Sequence, residues 1–143
     1  MQTINEIQQD IIDEFSIYDD WMDKYAYIIE QGNALEPIDD KYKTPENIIK
    51  GCQSRVWMQT DYREGRLFFD AESDAIIVKG LLALVLRVFN GRTPDEIIGT
   101  DLRFMKEIGL TEHLSPTRSN GLLSVIKQIR YYAIAYKSKE EKN

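Results

Sequence analysis

The stretch VWMQTDYREGRLFFDAES, Val56 to Ser73, constrains this chain most, because there helical spacing gives way to two runs rich in Val, Trp, Tyr and Phe. Such residues suit a pleated, half-buried surface, and Arg63-Glu64-Gly65 between the runs supplies a turn, so an antiparallel hairpin is predicted. Apolar residues fall on both alternation phases, Val56 and Met58 against Trp57, and Leu67 and Phe69 against Phe68. A slip of one residue would exchange the two faces, so the pattern leaves the register open.

Everything around the hairpin reads as helix. Thr3-Ile4-Asn5-Glu6 has the form of a capping box, followed by Ile4, Ile7, Ile11, Ile12 and Phe15 at helical spacing. Asp19 or Asp20 can cap a second helix with Trp21, Tyr25, Ile28 and Ile29 inward, ending at Gly32, where a left-handed residue suits a C-terminus. Asn33 to Pro45 reads as a loop. After the hairpin, Ser73 or Asp74 can cap an apolar helix that ends near Asn90-Gly91. Thr93-Pro94-Asp95-Glu96 is a second capping box opening a short helix, and Asp101 can open another up to Gly109. Ser115-Pro116 opens a long last helix with Leu122, Leu123, Ile126, Ile129, Ala133 and Tyr136 inward, and the tail from about Ser138 is expected to fray. Helices flanking one small antiparallel sheet define an α+β domain, expected to be single over residues 1–143.

Composition removes several functions. Lys and Arg number 18 against 24 Asp and Glu, for a net charge of -6, which disfavours attraction to phosphate backbones, so no nucleic acid is expected. The apolar run Ala75 to Phe89 is shorter than a membrane span and carries Lys79 and Arg87, so no membrane association is expected either. A lone cysteine cannot form an internal disulfide, and MQTINEIQQD lacks the regions of a secretory signal; the expected compartment is the reducing cytoplasm.

That cysteine, Cys52 in Gly51-Cys52-Gln53-Ser54, stands among polar neighbours rather than in an apolar run. With His113 as the single imidazole, neither a closed zinc site nor a cluster held by four thiolates can be built from one chain, and no metal is expected. A Cys-His hydrolase would need His113 as base, yet His113 lies in GLTEHLSP between two helices, a common place for a surface histidine; a thiol hydrolase or peroxidase using Cys52 stays as an alternative. A sulfur carrier needs one nucleophile and no metal. Gly51 would relax its loop, Gln53 and Ser54 could hydrogen-bond around a charged sulfur, and a second thiol would discharge the persulfide. An inert cysteine at the start of a strand is the other reading, and local chemistry leaves both standing. Arg118 falls in the first turn of the last helix, where the dipole disfavours a cation. It reads either as a surface ion pair or as a clamp for a thiolate or a partner's acidic group. Asp74 reads as an N-cap worth about 1 kcal/mol.

GCQSRVW (51–57), SDAIIVKGL (73–81) and LTEHLSPTRSNGL (110–122) occur in an order and spacing that resembles the SufE family of sulfur-acceptor proteins, and the likeness extends from about Trp21 and YIIEQG (27–32) into the last helix. The resemblance implies the fold shared with the IscU-type scaffold, and a partner cysteine desulfurase of the SufS type, or its CsdA relative, that uses its own pyridoxal phosphate. Cys52 would accept persulfide sulfur from it, stimulate it by clearing that persulfide, and deliver sulfur to the SufBCD scaffold for iron-sulfur cluster assembly. The chain would be a co-substrate and activator rather than an enzyme, with no cofactor of its own; a desulfurase regulator that carries no sulfur is the alternative. Asp74 matches the aspartate of the SDA motif and Arg118 the arginine of SP(S/T)RSxG, which the resemblance implies to be loop-positioning or interface residues rather than general acids or bases; Gly51, Gln53 and Ser54 match the rest of the cysteine loop, while His113 receives no role. Arg55 stands where some members have glutamine, which bears on partner preference. The rival role of cluster scaffold conflicts with the single cysteine. Oligomeric state is not implied, a homodimer being one option.

Overall fold

The computed structural model describes residues 1–141. In chain order, α1 (Ile4–Phe15) and α2 (Trp21–Asn33) lead through single 3-10 turns at Asp40–Tyr42 and Pro45–Asn47 to a hairpin of β1 (Val56–Arg63) and β2 (Arg66–Ser73). Then follow α3 (Ile76–Phe89), the short α4 (Pro94–Gly99), α5 (Arg103–Glu107) and α6 (Leu110–His113), and the long α7 (Pro116–Glu141). The chain is α+β, with one antiparallel two-stranded sheet among the described residues. Helix α7 continues to Glu141, past the point at which fraying is expected from sequence, and the rest of that expected tail, 142–143, lies outside the described residues.

Pairing of Val56 with Ser73 and of Arg63 with Arg66 settles the open register. Val56, Met58, Leu67, Phe69, Ala71 and Ser73 are buried, whereas Trp57 and Phe68 on the opposite phase are half-buried. Arg63 belongs to the strand, leaving Glu64 and Gly65 as the turn, with φ 52° and 78°. Two left-handed residues give the turn a twist that matches its strands.

The core centres on α3, whose residues Gly80 to Leu86, Val88 and Phe89 are buried. It packs against α1, α2, β2 and α7. Burying each Leu, Val or Phe there contributes roughly 1.5–3 kcal/mol. Gly32 does not end α2 as the sequence suggests; the helix runs on to Asn33 and Gly32 is buried within it. A Cβ on Gly32 would stand 2.8 Å from the Gly80 nitrogen, and one on Gly80 would stand 2.1 Å from the Ile28 carbonyl oxygen. These glycines let two helix backbones touch.

Two further expectations change. Asp74 does not cap α3: the N-cap is Ala75, without a side-chain cap, and Ser73 Oγ accepts the Ala75 amide at 3.2 Å. Leu123 faces outward, 56% exposed, and Val125 takes the inward position beside Leu122 and Ile126. The loop after α2 is also more ordered than its composition suggests, since Ile38 is buried and its amide donates to Glu72 Oε1 at 3.1 Å.

Candidate functional site

Three pieces of chain converge on Cys52. The cysteine loop is closed at its base by the Ile49 amide donating to the Val56 carbonyl at 2.9 Å, with both side chains buried. Its far side is held by Asp74, whose Oδ1 accepts the Arg55 amide at 3.2 Å while the Asp74 amide donates to the Arg55 carbonyl at 3.4 Å. Asp74 ties the loop to the β2–α3 junction instead of capping the helix.

Between these ties Gly51 adopts φ 94°, and a Cβ there would stand 2.5 Å from Ser124 Oγ. The glycine is needed twice, for the left-handed backbone and for the approach to α7. Cys52, half-buried, donates its thiol to the Gly121 carbonyl at 3.5 Å. Burial pushes the thiol pKa up from its ordinary value, so the resting side chain carries its proton at neutral pH.

Cys52 sits at one side of a cavity of about 630 Å³ walled by the start of α3 (Ala75 to Val78, Leu81, Leu82) and the start of α7 (Gly121, Leu122, Val125). Gln53, Ser54, Ser115, Thr117 and Arg118 supply the polar part of the lining. Arg118 is exposed, and its amide donates to Ser115 Oγ at 3.3 Å, so Ser115 caps α7 as its sequence predicts. Ile76, at the rim, is 65% exposed.

The structure thus brings together Gly51, Cys52, Gln53, Ser54, Asp74 and Arg118. It does not bring His113. That residue ends α6, is not part of the cavity wall, and stacks its ring on Trp21 with centroids 4.1 Å apart. A thiol next to a main-chain carbonyl rather than an imidazole lacks the base a hydrolase would use. Among the described residues no three of His, Cys, Asp and Glu group as metal ligands, and no helix is long and apolar enough to cross a membrane.

Two contributors escape sequence reasoning, the Gly121 carbonyl and Ser124. A glycine inside a helical pattern costs roughly 1 kcal/mol against alanine and so signals close contact. Gly121 offered that signal by its place in the helix, although a Cβ there would make only an ordinary contact, 3.6 Å from Cys52 Sγ. Ser124 carried none.

Fold and site define an α+β domain that holds one thiol, on a pinned loop, over a largely apolar cavity. Residues 9–133 match the family described as "SufE: Fe-S metabolism associated domain", and the chain belongs to the SufE family. It is 45% identical over 125 residues to an uncharacterized SufE-like protein of Rhizobium etli, covering 84% of each chain. A hypothetical protein of Thermus thermophilus, solved in solution, shares the fold at a TM-score of 0.75 and 16% identity, over 92% of this chain and 96% of that one. Family membership assigns the protein a role in Fe-S metabolism.

Proposed function

We propose that the protein is a sulfur acceptor and carrier: Cys52 takes persulfide sulfur from a SufS-type cysteine desulfurase, stimulates that enzyme by clearing it, and passes the sulfur to a SufBCD-type scaffold. In the transfer, the Cys52 thiolate attacks the terminal sulfur of the donor's persulfide. A new S–S bond forms on Cys52, the donor's S–S bond breaks, and the donor cysteine leaves as thiolate. No external oxidant or reductant is consumed. Pyridoxal phosphate belongs to the donor, and a reducing cytoplasm suits a chain that works through one free thiol.

One observation carries this reading: the thiol lies over an apolar cavity with only a main-chain carbonyl as partner. Such a site has no imidazole in its wall to act as base for a hydrolase, but has room beside the sulfur for a second sulfur atom. The protonated resting thiol is a poor nucleophile, so attack requires the loop to present Cys52 to the donor and shed its proton there. Exposed Ile76 at the rim offers apolar surface for that contact.

The test mixes the protein with an active SufS-type desulfurase and free cysteine and records intact mass with and without reductant. A reductant-sensitive gain of one sulfur atom, absent in Cys52→Ser, is expected. A full gain in Cys52→Ser would overturn the assignment of Cys52, and stimulation of the desulfurase by that variant would favour a regulator that carries nothing.

A further inference from the structure

His113 is the single imidazole of the chain and lies outside the cavity wall, yet three contacts join its turn to α2. Its ring stacks on Trp21 with centroids 4.1 Å apart and planes inclined by 22°. Its carbonyl accepts the Tyr25 hydroxyl at 2.7 Å. Gly109, which precedes α6 at φ 90°, lies so close to the indole that a Cβ there would stand 3.1 Å from Trp21 Cζ2. The single turn of α6 is thereby seated on the first two turns of α2.

The start of α7 is otherwise sparsely packed. None of residues 115–121 is buried, and packing against the core begins at Leu122. Arg130 donates to the Thr100 carbonyl and Lys137 pairs with Asp95, each at 2.7 Å, but these ties lie more than two turns beyond Gly121. Only Leu114 and Ser115 separate His113 from α7, so a shift of α6 reaches the long helix directly. Helix α2 is in turn fixed on α3 where Gly32 and Gly80 bring the two backbones into contact. The cavity lies between the starts of α3 and α7, so its two walls are joined through α2 and the stack of Trp21 on His113. The wall placed in this way carries the Gly121 carbonyl that receives the Cys52 thiol, and the Ser124 hydroxyl that presses on Gly51.

We propose that His113 is a positioning residue for sulfur acceptance: clasped by Trp21 and Tyr25, it holds the start of α7 at the separation from α3 at which Cys52 is seated. This rests on the carrier reading above. An aromatic contact is directional as well as attractive, so it fixes where the turn of α6 sits. A small misplacement far from the reacting atoms is enough to slow a transfer. The imidazole serves here as a flat ring, and no proton passes between it and the thiol.

The experiment follows two rates, the reaction of Cys52 with iodoacetamide at fixed pH and, separately, the gain of sulfur from an active SufS-type desulfurase with free cysteine. The proteins compared are wild type, His113→Ala, His113→Phe and Tyr62→Leu. Tyr62→Leu removes a different stack on the same helix, that of Tyr62 on Tyr136 with centroids 4.8 Å apart, and controls for general loosening of α7. His113→Ala is expected to alkylate about two- to tenfold faster, the equilibrium equivalent of one aromatic contact, and to gain sulfur about threefold or more slowly. His113→Phe, which keeps a ring to stack but has no base, is expected to restore both rates, and Tyr62→Leu to change neither. His113 is exposed, so its truncation removes little buried surface and misfolding does not mimic the effect. The proposal is overturned if His113→Ala matches wild type in either rate, if His113→Phe behaves as His113→Ala does, or if Tyr62→Leu moves Cys52 equally. Failure of the carrier reading looks different: wild type gains no sulfur, while the differences in alkylation remain.

Discussion

Two pairs of glycines do opposite work here. Gly32 and Gly80 lie inside helices, fully buried, where α2 and α3 touch backbone to backbone. Gly51 and Gly121 lie at the thiol, one left-handed and pressed against Ser124, the other offering its carbonyl to Cys52. In the first pair the obstacle to a methyl group is main chain, which cannot yield. At Gly51 it is the Ser124 side chain, which can, and at Gly121 a Cβ would make only an ordinary contact with Cys52. The scaffold is thus rigid where it anchors α3, and adjustable where the sulfur is held.

Gly80→Ala should break the first region most severely. Its Cβ would meet the Ile28 carbonyl at 2.1 Å, so the helices must part, at a cost of about 3 kcal/mol or more, read as a lowered midpoint of denaturant unfolding. A loss well under 1 kcal/mol would show that the crossing is not tight.

Gly51→Ala should cost less, about 1–2 kcal/mol, because left-handed strain adds to a contact that Ser124 can relieve by rotating. Ser124→Ala in the same chain should recover part of that loss and leave the strain behind, a coupling that a double-mutant cycle measures. Full additivity would separate Ser124 from the loop.

Alkylation of Cys52 sharpens the comparison at the thiol. With the folded pKa raised by burial, the pH midpoint for reaction with iodoacetamide should lie above that of the unfolded protein. The linked stability is then complete below the unfolded thiol value, about 8.5, and is lost as pH rises through the folded one. Asp74→Ala should accelerate alkylation at fixed pH by freeing the Arg55 amide, with a stability loss of about 1 kcal/mol or less. Unchanged alkylation together with a fraying α3 would restore the capping role.

The smallest effect is expected at a left-handed position where neither close packing nor sulfur intervenes. Glu64, at φ 52° in the hairpin turn, is a poor residue for that conformation, so Glu64→Asn should stabilise by a few tenths to about 1 kcal/mol in thermal unfolding and leave sulfur transfer unchanged.

Much of this was legible in the chain. The capping boxes at Thr3 and Thr93 form as written, because each joins a side chain to an amide three residues away. The three motifs point to the family and mark the loop that bears Cys52. Local spacing read Asp74 as an N-cap, whereas the motif implied a loop-positioning or interface residue: its carboxylate had two amides to choose from, its own helix's or that of Arg55 nineteen residues earlier, and spacing describes only the first. Gly32 misled likewise, since a glycine near a helix end fits a left-handed C-terminus and a helix crossing equally well, and only the position of Gly80 distinguishes them.

What the sequence by itself determined is local: where helices start, where the period switches to that of strands, and that a single thiol stands in a polar loop beside a glycine. Those features depend on residues within a few positions of one another. The tertiary structure alone decided the face of the hairpin that meets the helices, the separation of His113 from Cys52, and the cavity between the starts of α3 and α7. Each of these depends on contacts between residues far apart in the chain, and such contacts are set by packing rather than by spacing.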